Sequence, residues 1–100
     1  MEYRIEARRD RLIVSISGVI TFDDHEAFRQ IVSEIAGSDP SMVELSLAGT
    51  KMIDSAGIGM LLLAKDKADK SGKALILSGV TGHVAKVVEL SKIDQLIKIV

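Results

Sequence analysis

The stretch Met52-Ile53-Asp54-Ser55-Ala56-Gly57-Ile58-Gly59-Met60-Leu61-Leu62-Leu63 contains the hydroxyl best placed for chemistry in this chain. It reads as a strand end, a tight turn and the first two turns of a helix. Asp54 is a natural N-cap, a carboxylate able to accept from the free N–H groups of the first turn. Ser55 then stands at the first helical position, beside the positive end of the helix dipole. The Gly57 and Gly59 pair strips bulk from the adjacent turn and leaves that hydroxyl reachable by another protein's active site. Phosphorylation would add about −1.5 to −2 charge at pH 7, which a helix N-terminus tolerates. The fold would survive and the docking would change. A dianion beside Asp54, near the acidic Asp23-Asp24 pair, repels an acidic partner surface and leaves charge desolvated in a tight interface.

The same serine is a poor nucleophile. Ile53-Asp54-Ser55-Ala56-Gly57 lacks the first glycine of a nucleophile elbow, and the only candidate bases are His25 and His83. Gly79-Val80-Thr81-Gly82 has neither the lysine of a P-loop nor a Gly-x-Gly-x-x-Gly spacing, so it gives little support to a nucleotide site. No enzyme activity and no cofactor are expected.

Gly57 and Gly59 are costly inside a helix, roughly 1 kcal/mol each relative to alanine. They imply that another backbone or a partner comes close. Upstream, Thr21-Phe22-Asp23-Asp24 is a second helix start. Thr21 can cap, with Asp24 at the position of a capping-box acid. Loops leaving parallel strands gather on one edge of a sheet, so Thr21, Phe22 and Asp23 can form the rim of a surface shared with the Asp54 corner.

The remaining pattern supplies the scaffold. Tyr3–Ala7 and Leu12–Ser17 are β-prone runs joined by Arg8-Arg9-Asp10-Arg11, a polar spacer suited to a hairpin, and Gly18 is expected to break the second run. Phe28, Ile31, Val32 and Ile35 form one helical stripe, ended by Gly37-Ser38-Asp39-Pro40. Val43–Leu47 alternates as a strand that continues toward Ile53, and the Asp54 helix runs to about Ser71. Ala74–Leu77 predicts a buried central strand. Thr81 can cap a helix with Val84, Val87 and Val88 inward, and Leu96–Val100 predicts a last strand. The order β-β-α-β-α-β-α-β defines the fold class as α/β: one small domain over residues 1–100, with a mixed, mainly parallel sheet and helices packed on it.

Composition narrows the partners. The 100 residues carry a net charge of −1, with thirteen basic side chains spread among fourteen acids and three aromatics. A basic stripe for nucleic acid is absent. There is no cysteine, which excludes disulfides and thiolate sites, and the two histidines lack ligand spacing, which argues against a metal. The N-terminal residues lack an apolar signal segment, and the longest apolar run falls short of the ~20 residues of a span. A soluble, cytoplasmic protein without a membrane contact is expected.

The element order, the Gly18-Val19-Ile20 exit, the Val43–Leu47 strand, the corner Asp54-Ser55-Ala56-Gly57-Ile58-Gly59 and the late Leu90-Ser91-Lys92-Ile93 element together resemble the STAS domain family. Within it, the resemblance is to the bacterial anti-sigma factor antagonists. It implies that Ser55 is a phosphoacceptor and that the kinase is also the anti-sigma factor, a serine kinase of the histidine-kinase-like ATPase type. A PP2C-type phosphatase would reverse the step, and the unphosphorylated chain would bind the anti-sigma factor. It also implies a partner surface made of Thr21, Phe22, Asp23, Asp24, Asp54, Ala56, Gly57, Ile58, Gly59 and Met60. Three departures are visible. Gly18-Val19-Ile20-Thr21 replaces a Gly-Glu-Leu-Asp-like exit, with Asp23 or Asp24 as stand-in acids. Ala56 replaces a second hydroxyl. The sequence given ends at Val100, before the final helix of many antagonists, a short form of the type coupled to a response regulator that bears the phosphatase. The alternative reading is a STAS scaffold, or a small-ligand or nucleotide sensor, that works without phosphorylation.

Overall fold

The computed structural model describes all residues, Met1–Val100. Strand β1 (Glu2–Ala7) and strand β2 (Leu12–Ile20) form a hairpin, closed by the Arg8 N–H donating to the Arg11 carbonyl at 2.9 Å. A 3-10 turn at Phe22–Asp24 leads into helix α1 (His25–Gly37). Strand β3 (Met42–Ile53), helix α2 (Ser55–Lys70), strand β4 (Ala74–Ser78) and helix α3 (Gly82–Ser91) follow. A second 3-10 turn, Ile93–Gln95, precedes the two-residue strand β5 (Lys98–Ile99).

The five strands lie in sequence order, β1 antiparallel to β2 and all later neighbours parallel. The order and class match the pattern read from the sequence. Every parallel connection steps one strand in the same direction, so right-handed crossovers put all three helices on one face. Burial agrees with that placement. Leu12, Val14 and Ile16 point inward from β2; Leu12 and Val14 are in register with Val43 and Leu45 of β3, which align with Leu75 and Leu77 of β4. Phe28, Ile31 and Ile35 of α1, Leu61 and Ala64 of α2, and Val84 and Val88 of α3 complete a single core cluster. The Tyr3 hydroxyl, 3.0 Å from Gln30 Oε1, ties β1 to α1 on the same side.

The other face of the sheet carries no helix and is mixed, with Ile13 and Ile76 on either side of Glu44. Arg4, Ser15, Ser46 and Ser78 fall in one row across four strands. Two residues back along β3, on the same face, Glu44 accepts from the Ser78 hydroxyl at 2.8 Å and from Arg11 Nη1 at 2.8 Å. Those two bonds, the serine first, hold the Glu44 carboxyl below the ordinary carboxylate range.

Three local expectations change. Gly18 does not end β2. It takes φ +88° at a register irregularity, and the strand runs on to Ile20. The neighbouring slip, between Ser15 and Ser17, is stabilised by Thr50, whose buried hydroxyl donates to the Ile16 carbonyl at 2.9 Å. Thr81 occupies the N-cap position of α3, yet its side chain makes no cap hydrogen bond. The last strand shrinks to Lys98–Ile99, because the Leu96 and Ile97 N–H groups both donate to the Ile93 carbonyl at 2.9 Å and so belong to the preceding turn.

The two helix glycines separate. A Cβ on Gly57 would lie 2.5 Å from Ile53 Cγ1, 2.9 Å from Ile20 Cγ2 and 3.0 Å from the Ile20 carbonyl oxygen. Helix α2 can therefore seat on the ends of β2 and β3 only through glycine. A Cβ on Gly59 would meet nothing within 4 Å. Gly57→Ala should consequently destabilise the domain by about 1–3 kcal/mol through overpacking, and Gly59→Ala should stabilise it by about 1 kcal/mol through helix propensity. Urea unfolding of both variants checks this, and changes of the same sign would contradict it.

The Glu44 carboxyl yields a pH prediction. Its folded-state pKa lies below the ordinary 4.5, so the unfolded chain binds the proton more readily. The contribution is complete above pH 4.5 and is lost as pH falls through the lowered value. Glu44→Gln should therefore cost stability at neutral pH and narrow the gap to the parent chain below pH 4.5, measured as unfolding midpoints in the two conditions.

Candidate functional site

The exits of β2 and β3 lie side by side, with Ile20 in register with Ile53. The Asp54 N–H donates to the Ile20 carbonyl at 3.1 Å. Asp54 then serves two chain segments with one carboxylate. Its Oδ1 accepts from the Gly57 N–H at 2.7 Å, which caps α2, and its Oδ2 accepts from the Phe22 N–H at 3.4 Å. The first bond is short and charge-assisted, the second long. At the neighbouring exit Thr21 and Asp24 form a reciprocal capping box: Asp24 Oδ2 accepts from the Thr21 N–H at 2.8 Å, and the Thr21 hydroxyl accepts from the Asp23 N–H at 3.4 Å. The two helix starts are thus fastened to each other as well as to the sheet.

Ser55 occupies the first position of α2, exposed, and its hydroxyl has no hydrogen-bond partner in the chain. Asp54 beside it is exposed, Ala56 half-buried, and Gly59, one turn on, exposed. Thr21 and Asp24 are half-buried, and Asp23 is exposed. Phe22 stands out at 65% exposure, its ring meeting His25 edge-on at 4.7 Å. The structure therefore brings Thr21, Phe22, Asp23, Asp24, Asp54, Ser55, Ala56 and Gly59 onto the rim formed by the two exits.

Three of the residues named with them lie elsewhere. Gly57 and Ile58 face the core, Gly57 because β2 and β3 press against it and Ile58 because it is part of the apolar cluster. Met60, expected on the rim, is only 3% exposed and goes down between α1 and α2. These three support the corner from beneath.

Two rim residues escaped the sequence reading. Val19 and Met52 pair in register just before the exits and are 40% and 51% exposed. Since Ile20 and Ile53 turn inward, strand alternation turns Val19 and Met52 outward. That signal was present in the sequence. They bring apolar surface to the open-face side of the exits, and Phe22 brings an exposed ring next to Asp23 in sequence. Neither Thr21–Asp24 nor Asp54–Met60 contains an Arg or Lys. A phosphate on Ser55 would find only N–H groups and water from those segments.

No helix is long and apolar enough to cross a membrane. No cluster of His, Cys, Asp or Glu stands at metal-binding distance.

The chain is 31% identical over 88 residues to a STAS-domain containing protein of Pseudomonas aeruginosa (strain UCBPP-PA14), which covers 88% of this chain and 86% of that one. Its fold is similar to that of an anti-sigma factor antagonist from Mycobacterium paratuberculosis, with a TM-score of 0.85, 17% identity, and coverage of 98% of this chain and 83% of that one. It is also similar to the Bacillus cell fate determinant SpoIIAA in its phosphorylated form, with a TM-score of 0.70, 17% identity, and coverage of 99% and 91%. At these identities the structural likeness is one of fold. The family model described as "Mlab, STAS domain" matches residues 3–98, nearly the whole sequence given, and on that match the chain belongs to the STAS domain family.

Proposed function

We propose that this domain is the phosphorylatable component of a partner switch, a non-catalytic anti-sigma factor antagonist. In its unphosphorylated state the rim of Thr21, Phe22, Asp23, Asp54, Ala56 and Gly59 binds an anti-sigma factor that is also a serine kinase of the histidine-kinase-like ATPase type. Phosphorylation of Ser55 ends that binding, and a PP2C-type phosphatase restores it. The observation that carries this reading is the exposed, unpartnered Ser55 hydroxyl at the N-terminus of α2, on a rim that is both apolar and acidic. The similar folds of an anti-sigma factor antagonist and of a phosphorylated determinant support it as precedent.

The switch works by charge. The helix N-terminus favours an anion, so the phosphate costs the domain little. A partner seated on the rim meets it differently, as a dianion beside Asp54 and Asp23 that must lose its water. Binding responds, and the scaffold does not.

Incubation with ATP and the histidine-kinase-like anti-sigma proteins of the same genome should add one phosphate, placed on Ser55 by fragmentation mass spectrometry. Ser55→Ala should take up none and still bind the kinase. Phosphate on another residue, or on none, contradicts the reading. Ser55→Asp should weaken kinase binding by on the order of 1–3 kcal/mol, the range for a charge placed in an interface, measured by titration calorimetry. Unchanged affinity would remove the electrostatic mechanism.

A further inference from the structure

Helices α1 and α2 pack side by side and leave a groove of about 280 Å³ between their outer surfaces. Phe28 and Val32 of α1 and Met60 and Leu63 of α2 form its apolar part, with Leu63 48% exposed at its mouth. His25, Arg29 and Lys67 supply the polar part, and no carboxylate lines it. Lys67 is the unpaired cation of its helix turn: Lys65 reaches Asp69 at 2.6 Å and Lys70 reaches Asp66 at 3.1 Å, whereas Lys67 makes no ion pair or hydrogen bond. Arg29 engages Glu26 through Nη1 alone, and both groups are exposed, so the pair is weak and leaves other N–H donors free. Basic edges on a chain of net charge −1 are a local departure from its overall balance.

Gly59, the last of the rim residues along α2, also borders the groove. It precedes Met60 by one residue and Leu63 by four, so it lies on the outward surface of the same two turns. Nothing in the chain comes within 4 Å of a Cβ placed there. Internal packing therefore does not explain a residue that costs the helix roughly 1 kcal/mol. Bare backbone at that point allows another helix to cross α2 closely, within reach of the groove.

We propose that the α1–α2 groove is a second docking surface, which takes a leucine-sized side chain from an acidic amphipathic helix of a protein partner. The lining favours such an anchor: its floor is apolar, and its polar side chains stand at the edges without converging on one point as small-molecule sites require. The chemistry fits helix-in-groove recognition, with an apolar anchor in the floor and flanking carboxylates on Lys67 and Arg29. The inference does not depend on Ser55 being phosphorylated.

The test is a titration of the ¹⁵N-labelled chain with a synthetic amphipathic peptide, about 15 residues long so that it can hold a helix. Its leucines are at three- and four-residue spacing and its other outward positions are glutamate. A counterpart carries lysine at every glutamate. The acidic peptide should shift the amides of Phe28, Val32, Leu63 and Lys67 and bind about tenfold more tightly than its counterpart. Lys67→Glu should abolish that preference, and Leu63→Ser should weaken both peptides. Both substitutions are at exposed positions and should leave the unfolding midpoint near that of the parent chain. Equal binding of the two peptides, shifts confined to the open sheet face, or no shifts at millimolar peptide would each overturn the proposal.

Discussion

One carboxylate holds the upper edge of this domain together. Asp54 accepts from Gly57 and so starts α2, and it accepts from Phe22 and so fixes where the β2 exit turns toward α1. Its own N–H donates to the Ile20 carbonyl, which anchors the corner to the neighbouring strand. The arrangement requires α2 to seat closely on the strand ends, and Gly57 is the residue that permits this. The corner's rigidity comes from core packing and capping, so the exposed serine is free of structural duty. A phosphate on that serine, as proposed above, would therefore meet no structural hydrogen bond that it had to break.

The sheet gives the same separation on a larger scale. Its helical face contains the apolar core, and the other face has a row of serines and the Arg11–Glu44–Ser78 group, with Ile13 and Ile76 beside Glu44. Parallel sheets are usually covered on both faces. Here small polar residues make the uncovered face soluble at the centre, and the charged Glu2, Arg4 and Glu6 protect the edge strand β1. Hydrophobic side chains also reach solvent at the two strand exits, close to the exposed Ser55. Val19, Met52 and Phe22 are there, and their exposure contributes nothing to the fold.

Much of this was legible in the sequence, for physical reasons that differ by element. The period-2 alternation of Leu12–Ile16 and Val43–Leu47 and the stripe Phe28–Ile35 report directly on one buried face, so strands, helix and order could be read. The Asp54 and Thr21–Asp24 caps are local chemistry and are found as expected. What local pattern could not convey was tertiary compensation. Gly18 reads as a breaker, yet the β3 partner carries the strand through it. Leu96–Val100 reads as a strand, yet only two residues find pairing on β4. Met60 reads as part of an exposed corner until α1 is placed over it. Val19 and Met52 needed only the alternation already used elsewhere, continued to the strand ends. Gly57 and Gly59 look alike in sequence, and only the neighbours of α2 distinguish a glycine required by packing from one that packing ignores.

The central claim is that charge on Ser55 changes binding while the scaffold stays as it is. The most direct measurement compares one preparation before and after stoichiometric phosphorylation, recording both the unfolding free energy and the Kd for the kinase partner. The account predicts a weaker complex with an unfolding free energy the same within about 0.5 kcal/mol, the scatter of surface changes away from structural features. A loss of stability that matches the loss of affinity would contradict it, because the phosphate would then be acting on the fold.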